Sequence, residues 1–274
     1  MQDDKIRGIV RERYAKIAER SQGYSCCSPS TVPETSCSSC CGPSTTPEIN
    51  SSSSCCGDTS LSQNYSSRIG YTEEEQKSVP EGSNLGLGCG NPTAFASIKE
   101  GETVVDLGSG AGFDCFLAAN KVGKTGKVIG VDMTPQMIDT ARENAYKGNY
   151  ENVEFRLGEI ENLPVADNTA DLIISNCVIN LSPDKDKVFQ EAYRVLKPGG
   201  KLMVSDIVLK EELPEDIKNS IDAYVACVSG AILKDEYLKK IESAGFKDVE
   251  IKDSTGAIFS NLKIESIKVA AMKK

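Results

Sequence analysis

The sequence predicts an α/β fold: a doubly wound, mostly parallel sheet with a helical cap inserted late in the chain. Two observations carry that reading. Short β-branched, apolar runs alternate with helix-period stretches over roughly 150 residues, which is the pattern of repeated βαβ units. A glycine-rich loop joins the first such strand to the first such helix, where a parallel sheet places its ligands.

Taken in order, residues 3–21 intersperse charges with Ile6, Ile9, Val10, Tyr14, Ile17 and Ala18 at spacings of three and four, and so predict an amphipathic helix within a segment 1–24. The first 20 residues carry 10 charges and no apolar core, so they are not read as a signal peptide. A Cys/Ser-rich segment, 25–64, follows. Its residues 25–60 hold 12 Ser, 5 Thr and 7 of the 11 Cys with no aromatic, Lys or Arg, so too little apolar area is available to offset the entropy of ordering, and disorder is expected. The globular domain spans 65–274. Strands are predicted at 103–107, 127–131, 153–156, 172–175, 201–205, 248–252 and 264–270. Helices are predicted at 113–122, 135–146, 184–195 and 234–244. Pro198-Gly199-Gly200 ends one helix and turns into the next strand. Residues 207–233 interrupt the alternation as the helical cap.

Composition narrows the chemistry. The 274 residues include no His, which excludes Ser-His-Asp and Cys-His hydrolases and histidine-ligated metal sites. A net charge of −9 disfavours a nucleic-acid partner. No apolar run approaches the ~18 residues of a membrane span, so a cytoplasmic protein with no membrane partner is expected. In that compartment cysteines act more often as ligands, redox groups or nucleophiles than as structural disulfides.

The loop Asp106-Leu107-Gly108-Ser109-Gly110-Ala111-Gly112-Phe113 departs from the dinucleotide fingerprint, because Phe113 stands where that pattern needs glycine. The acidic residue before the first glycine favours a cationic ligand over a pyrophosphate. Asp132 ends the second strand, placed to accept from ribose hydroxyls, and Gly158-Glu159-Ile160 follows the third, where backbone and carboxylate can hold an adenine amine. With LKPGGKLMVSD, these elements resemble the S-adenosylmethionine-dependent methyltransferases of the Rossmann-like class over about residues 85–274. The resemblance implies their sheet topology and S-adenosyl-L-methionine as methyl donor.

Four cysteines lie in the globular part. Cys115, on the helix after the glycine loop, reads as a small core residue. Cys177 follows a strand at its carboxyl end, Cys89 sits in GLGCGNP, and Cys227 lies in the cap. Three thiolates without imidazole suit a soft, thiophilic centre, and trivalent arsenic has the lone pair that zinc lacks. VPEGSNLGLGCGNP, DLGSGAGFDCFLAANKVG, GVDMTPQMIDTAR, GEIENLP and SNCVINLSPDK, with the spacing to Cys227, closely resemble arsenite methyltransferases of prokaryotic type.

That resemblance implies Cys89, Cys177 and Cys227 as arsenic ligands and catalytic residues, and Asp106, Gly108, Gly110, Asp132, Met133, Glu159 and Ile160 as the donor site. It implies arsenite or an arsenic–thiol complex as substrate. A disulfide between Cys89 and Cys55 or Cys56 is the candidate for re-reducing the product, and thioredoxin or another dithiol for restoring the thiols. A monomer is expected. The competing readings are a methyltransferase of an organic small molecule and a Cys-rich metal-binding or sensor protein.

Overall fold

The computed structural model describes residues 2–21, 59–256 and 263–274. The expected disorder of the Cys/Ser-rich segment up to residue 58, and all seven of its cysteines, lie outside the described residues; its last residues, 59–64, are helical, contrary to expectation.

The chain begins with α1 (Gln2–Ser21), and after the undescribed stretch come α2 (Thr59–Arg68), α3 (Glu73–Lys77) and α4 (Pro92–Phe95). The alternating part follows as β1 (Thr103–Leu107), α5 (Phe113–Val122), β2 (Lys127–Asp132), α6 (Pro135–Lys147), β3 (Val153–Leu157) and β4 (Ala170–Asn176). It continues through a 3₁₀ turn at Ile179–Leu181 to α7 (Lys185–Val195) and β5 (Leu196–Leu209). Then come α8 (Glu215–Lys218), α9 (Ile221–Val225), α10 (Lys234–Ser243), β6 (Lys247–Gly256) and β7 (Ile264–Met272).

The strands form one sheet in the order β3-β2-β1-β4-β5-β7-β6. The first five are parallel, and β7 inserts antiparallel between β5 and β6. The winding reverses between β1 and β4, and a crevice opens at that switch point, beyond the carboxyl ends of the strands.

The central strands read as continuous apolar runs because helices cover both faces. Val105, Leu107, Ile129, Val131 and Ile173 pack one way, with Phe189 of α7 and Tyr237 of α10. Val104, Val128, Leu172 and Ile174 pack the other way, with Phe116 of α5 and Ile138 of α6. This period of two along each strand fixes which side chains reach each core.

Two boundaries differ from expectation. Pro198-Gly199-Gly200 lies inside β5, where the pairing with β4 jumps from Ala170↔Leu196 to Leu172↔Lys201, so the breaker loops out without ending the strand. Residues 207–209, expected at the start of the cap, are the end of β5, because β7 continues to pair with them as far as Leu209↔Ile264. The helical part of the cap is the pair α8 and α9. Among the described residues no helix is long and apolar enough to cross a membrane.

Candidate active site

Past β1 the chain turns through Gly108, Gly110 and Gly112, all with left-handed backbone (φ +69°, +51° and +95°). The amides of Gly108 and Ser109 donate to the Val131 carbonyl at 2.8 and 3.0 Å, which bends the loop over the end of β2. There Asp132 is clamped, its carboxylate accepting from the amides of Gly110 (3.0 Å) and Thr134 (2.8 Å). Burial pushes its carboxyl up against those bonds.

A cavity open to solvent lies in front of this loop, with about 1060 Å³ of empty space counted together with its mouth. Asp106, Gly108, Gly110, Asp132, Met133 and Ile160 all line it; Glu159 does not. The Glu159 carboxylate turns out to α1, 3.4 Å from Arg11 and 3.7 Å from Arg7. Glu161, two residues on, faces the cavity, buried, accepting from Ser182 Oγ (2.7 Å) and from Arg7 (3.2 Å). Asp106 is buried at the base and accepts from the Cys115 thiol at 3.2 Å; burial and neighbouring Asp114 push its carboxyl well up. Ser109 Oγ, also on the wall, is buried with no hydrogen-bond partner among the described residues.

Cys89, Cys177 and Cys227 are brought together from three parts of the chain into one buried apolar cluster with Ile207, Leu213 and Val228. The Cys227 thiol donates to the Cys177 carbonyl at 2.8 Å, and the Cys89 thiol to the Ser205 carbonyl at 3.4 Å. The Cys89 and Cys177 sulfurs and an Asp206 carboxylate oxygen all lie within 4.8 Å of one another. Hydrogen bonding with Cys227 and Cys89, then burial, push the Cys177 thiol well up, and burial pushes Cys89 up. Without a ligand Cys89 and Cys177 are neutral thiols. Of the three, Cys177 alone also lines the cavity, so it stands at the junction of the two spaces. Cys115 lies apart, in the core around α5.

Cys177 and Cys227 have φ +59° and +62°, a conformation L-residues rarely adopt. Cys227 follows α9 as its left-handed cap: its amide donates to Tyr224 O and that of Val228 to Ala223 O, the arrangement in which helices usually place glycine. A non-glycine residue there signals that the side chain is needed.

Several further groups escape sequence reasoning. Asp206 accepts from the Ile207 amide (2.9 Å), Asn180 (2.9 Å) and Tyr237 (3.1 Å), and burial pushes it up to about 7. The signal for it is a lone acid inside the apolar run Val204–Leu209. On α1, Arg7, Val10 and Tyr14 line the cavity, and the Tyr14 hydroxyl donates to Val225 O at 3.3 Å. The helix read above only as amphipathic is thus a wall of the site.

Comparison with known proteins places the sequence and the fold. Residues 98–245 match the model of a methyltransferase domain. The chain is 48% identical over 260 residues to an arsenite methyltransferase of Halobacterium salinarum, covering 94% of this chain and 62% of that one. It is 37% identical over 189 residues to the arsenite methyltransferase of Homo sapiens, covering 66% of this chain and 50% of that one. It therefore spans between 50% and 62% of the length of these curated relatives. The crystal structure of an arsenic (III) S-adenosylmethionine methyltransferase from Chlamydomonas reinhardtii superposes with a TM-score of 0.63 at 33% identity, covering 77% of this chain and 73% of that one.

Proposed function

The chain belongs to the S-adenosylmethionine-dependent methyltransferases, in the family of the arsenic (III) enzymes, and from that premise we propose that it methylates trivalent arsenic held by Cys89, Cys177 and Cys227. The observation that carries this reading is the convergence of three buried thiols beside the glycine-loop cavity, with Cys177 bordering both.

The cavity fits the methyl donor on two grounds. A Cβ at Gly110 would project into space with nothing within 4 Å, and Ser109 Oγ is an unpartnered polar atom on the wall. Asp132 and the glycine loop would hold the ribose side, Ile160 and Glu161 the base, and Asp106 and Ser109 the amino-acid end. S-Adenosylmethionine supplies a sulfonium-bound, electrophilic methyl group.

The protein's part is alignment and exclusion of water. Arsenite, arriving free or as a thiol complex, exchanges its oxygen or sulfur ligands for the three cysteine sulfurs. The leaving ligands carry away the thiol protons, so a pocket without histidine suffices. The apolar cluster shields the site, and the arsenic lone pair is left facing the Cys177 side of the cavity. Methylation removes two electrons formally from arsenic. Cys89 with Cys55 or Cys56 returns them by forming a disulfide, which thioredoxin or a similar dithiol reopens in the cytoplasm. A methylated arsenical keeps two exchangeable ligands, for which Cys177 and Cys227 suffice. This chemistry requires one copy of the chain, and we take the monomer as the working unit.

The deciding experiment incubates the reduced protein with arsenite, labelled donor and thiol, and follows arsenic speciation. Labelled methylarsenicals are expected, and Cys177→Ser and Cys227→Ser should each abolish them. Full activity in both variants would overturn the three-thiol site.

A further inference from the structure

Cys89 lies on a loop outside the sheet, yet its place in the site is tightly set. Its carbonyl accepts from Ser266 Oγ of β7 at 2.9 Å, its thiol meets the Ser205 carbonyl of β5, and its amide donates to Asn176 Oδ1 at 3.0 Å. Asn176 is the last residue of β4 and the immediate neighbour of Cys177. Its amide group also donates to the Gly90 carbonyl at 2.8 Å, so one side chain grips the Cys89 loop from both sides of the cysteine. The same nitrogen is 2.9 Å from the Tyr71 hydroxyl and 3.0 Å from Asp114, which accepts from that hydroxyl at 2.6 Å. Tyr71, Asp114 and Asn176 all line the donor cavity.

The glycines of GLGCGNP are explained by this grip. A Cβ on Gly88 would lie 2.5 Å from Asn176 Nδ2, and one on Gly90 would lie 2.0 Å from Ser205 Oγ. Neither glycine has left-handed backbone, so close approach, and not conformation, requires them. The loop is pressed onto the ends of β4 and β5, and Asn176 is the polar group against which it presses.

We propose that Asn176 is a positioning residue that holds Cys89 in register with Cys177, so that the third sulfur reaches an arsenic already bound by the other two. The proposal rests on the three-thiol reading given above. It assigns Asn176 no contact with the arsenic. The side chain acts through the peptide flanking Cys89, and losing both bonds should weaken capture through that sulfur about tenfold.

A split between substrates separates this role from a general structural one. Arsenite has three exchangeable ligands and needs Cys89, whereas methylarsonous acid has two and does not. Because Asn176 also borders the donor cavity, any effect through the donor falls on both substrates alike, and the readout is a ratio. At saturating S-adenosylmethionine, the full chain carrying Asn176→Ala should show a KM for arsenite raised about tenfold more than its KM for methylarsonous acid. Gly88→Ala, which crowds the same amide from the loop side, should give the same split, so the result does not hang on one variant. Cys89→Ser is the reference: in a single turnover, which needs no disulfide step, it should lose far more of its methylation of arsenite than of methylarsonous acid. If Cys89→Ser splits the substrates and the other two variants do not, whether by affecting both equally or neither, the positioning role falls. If Cys89→Ser itself shows no split, the three-thiol reading falls and takes the proposal with it.

Discussion

The thiol of Cys227 donates to the carbonyl of Cys177 at 2.8 Å, and both residues hold left-handed backbone. Each such conformation costs an L-residue about 1 kcal/mol or more. The bond joins two strained positions, one after β4 and one capping α9, so the cap is tied to the sheet at the proposed arsenic site.

Glycine relieves that strain, which gives a first prediction. Cys177→Gly and Cys227→Gly should each be more stable than the corresponding alanine variant by about 1 kcal/mol, although all four lose the thiol. Urea unfolding of the four variants measures it. Alanine variants as stable as their glycine counterparts would remove the strain argument.

The glycine loop divides into two kinds of position. Alanine at Gly112 brings a Cβ within 2.7 Å of the Phe116 and Phe155 rings and should cost about 2–4 kcal/mol of stability. Alanine at Gly110 meets nothing in the protein and should cost only about 1 kcal/mol, while weakening binding of S-adenosylhomocysteine about tenfold or more. Thermal unfolding and calorimetry on the same two variants distinguish packing from ligand approach.

Asp114 supplies a pH dependence of definite sign. Burial raises its carboxyl from 3.8 to about 6, against hydrogen bonds from Tyr71 and Asn176 that lower it. Between pH of about 4 and 6 the native protein therefore holds a proton that the unfolded chain releases, so this group's contribution to stability falls as pH rises through that window. The cost is fully present above about pH 6 and amounts to about 3 kcal/mol. Asp114→Asn removes the titration, so its stability relative to wild type should climb by about that amount from pH 4 to 6.5. A constant difference across that range would contradict the assignment.

Arg7 should matter more than its charge suggests. Its side chain is 18% exposed and Glu161 is 7% exposed, so Arg7→Ala strips a buried carboxylate of a charged partner. We expect a loss of about 2 kcal/mol in docking of α1, seen as faster proteolysis within 2–21 and a severalfold weaker grip on the methyl donor. Arg13→Ala breaks an exposed pair with Asp222 and should cost less than about 0.5 kcal/mol.

The strands were legible because their apolar runs are buried on both faces, and the glycine loop because its context is strand and then helix. The ends of β5 were not. Pro198-Gly199-Gly200 carries the local chemistry of a break, and only the long antiparallel partner β7 shows that the strand absorbs it. Spacing in GEIENLP locates a loop but cannot say which acid turns inward; Arg11, from the far N-terminal helix, meets the outward-turned Glu159, while Arg7 and Ser182 hold Glu161 facing the cavity. Asn176 was invisible for a related reason. Its partners come from the Cys89 loop, α5 and the turn before α3, and an asparagine ending a strand has no local pattern that marks it.

The holding of Cys89 by side chains and backbone of β4, β5 and β7 has a consequence for a chain emerging from the ribosome. Cys89 is translated before any of these strands, and its carbonyl finds Ser266 only when β7 has been made and inserted between β5 and β6. A nascent chain thus presents this cysteine before Cys177 and Cys227 can join it. The proposed three-thiol site comes into being late, at the closing step of sheet assembly, when most of the polypeptide that must carry it is already folded.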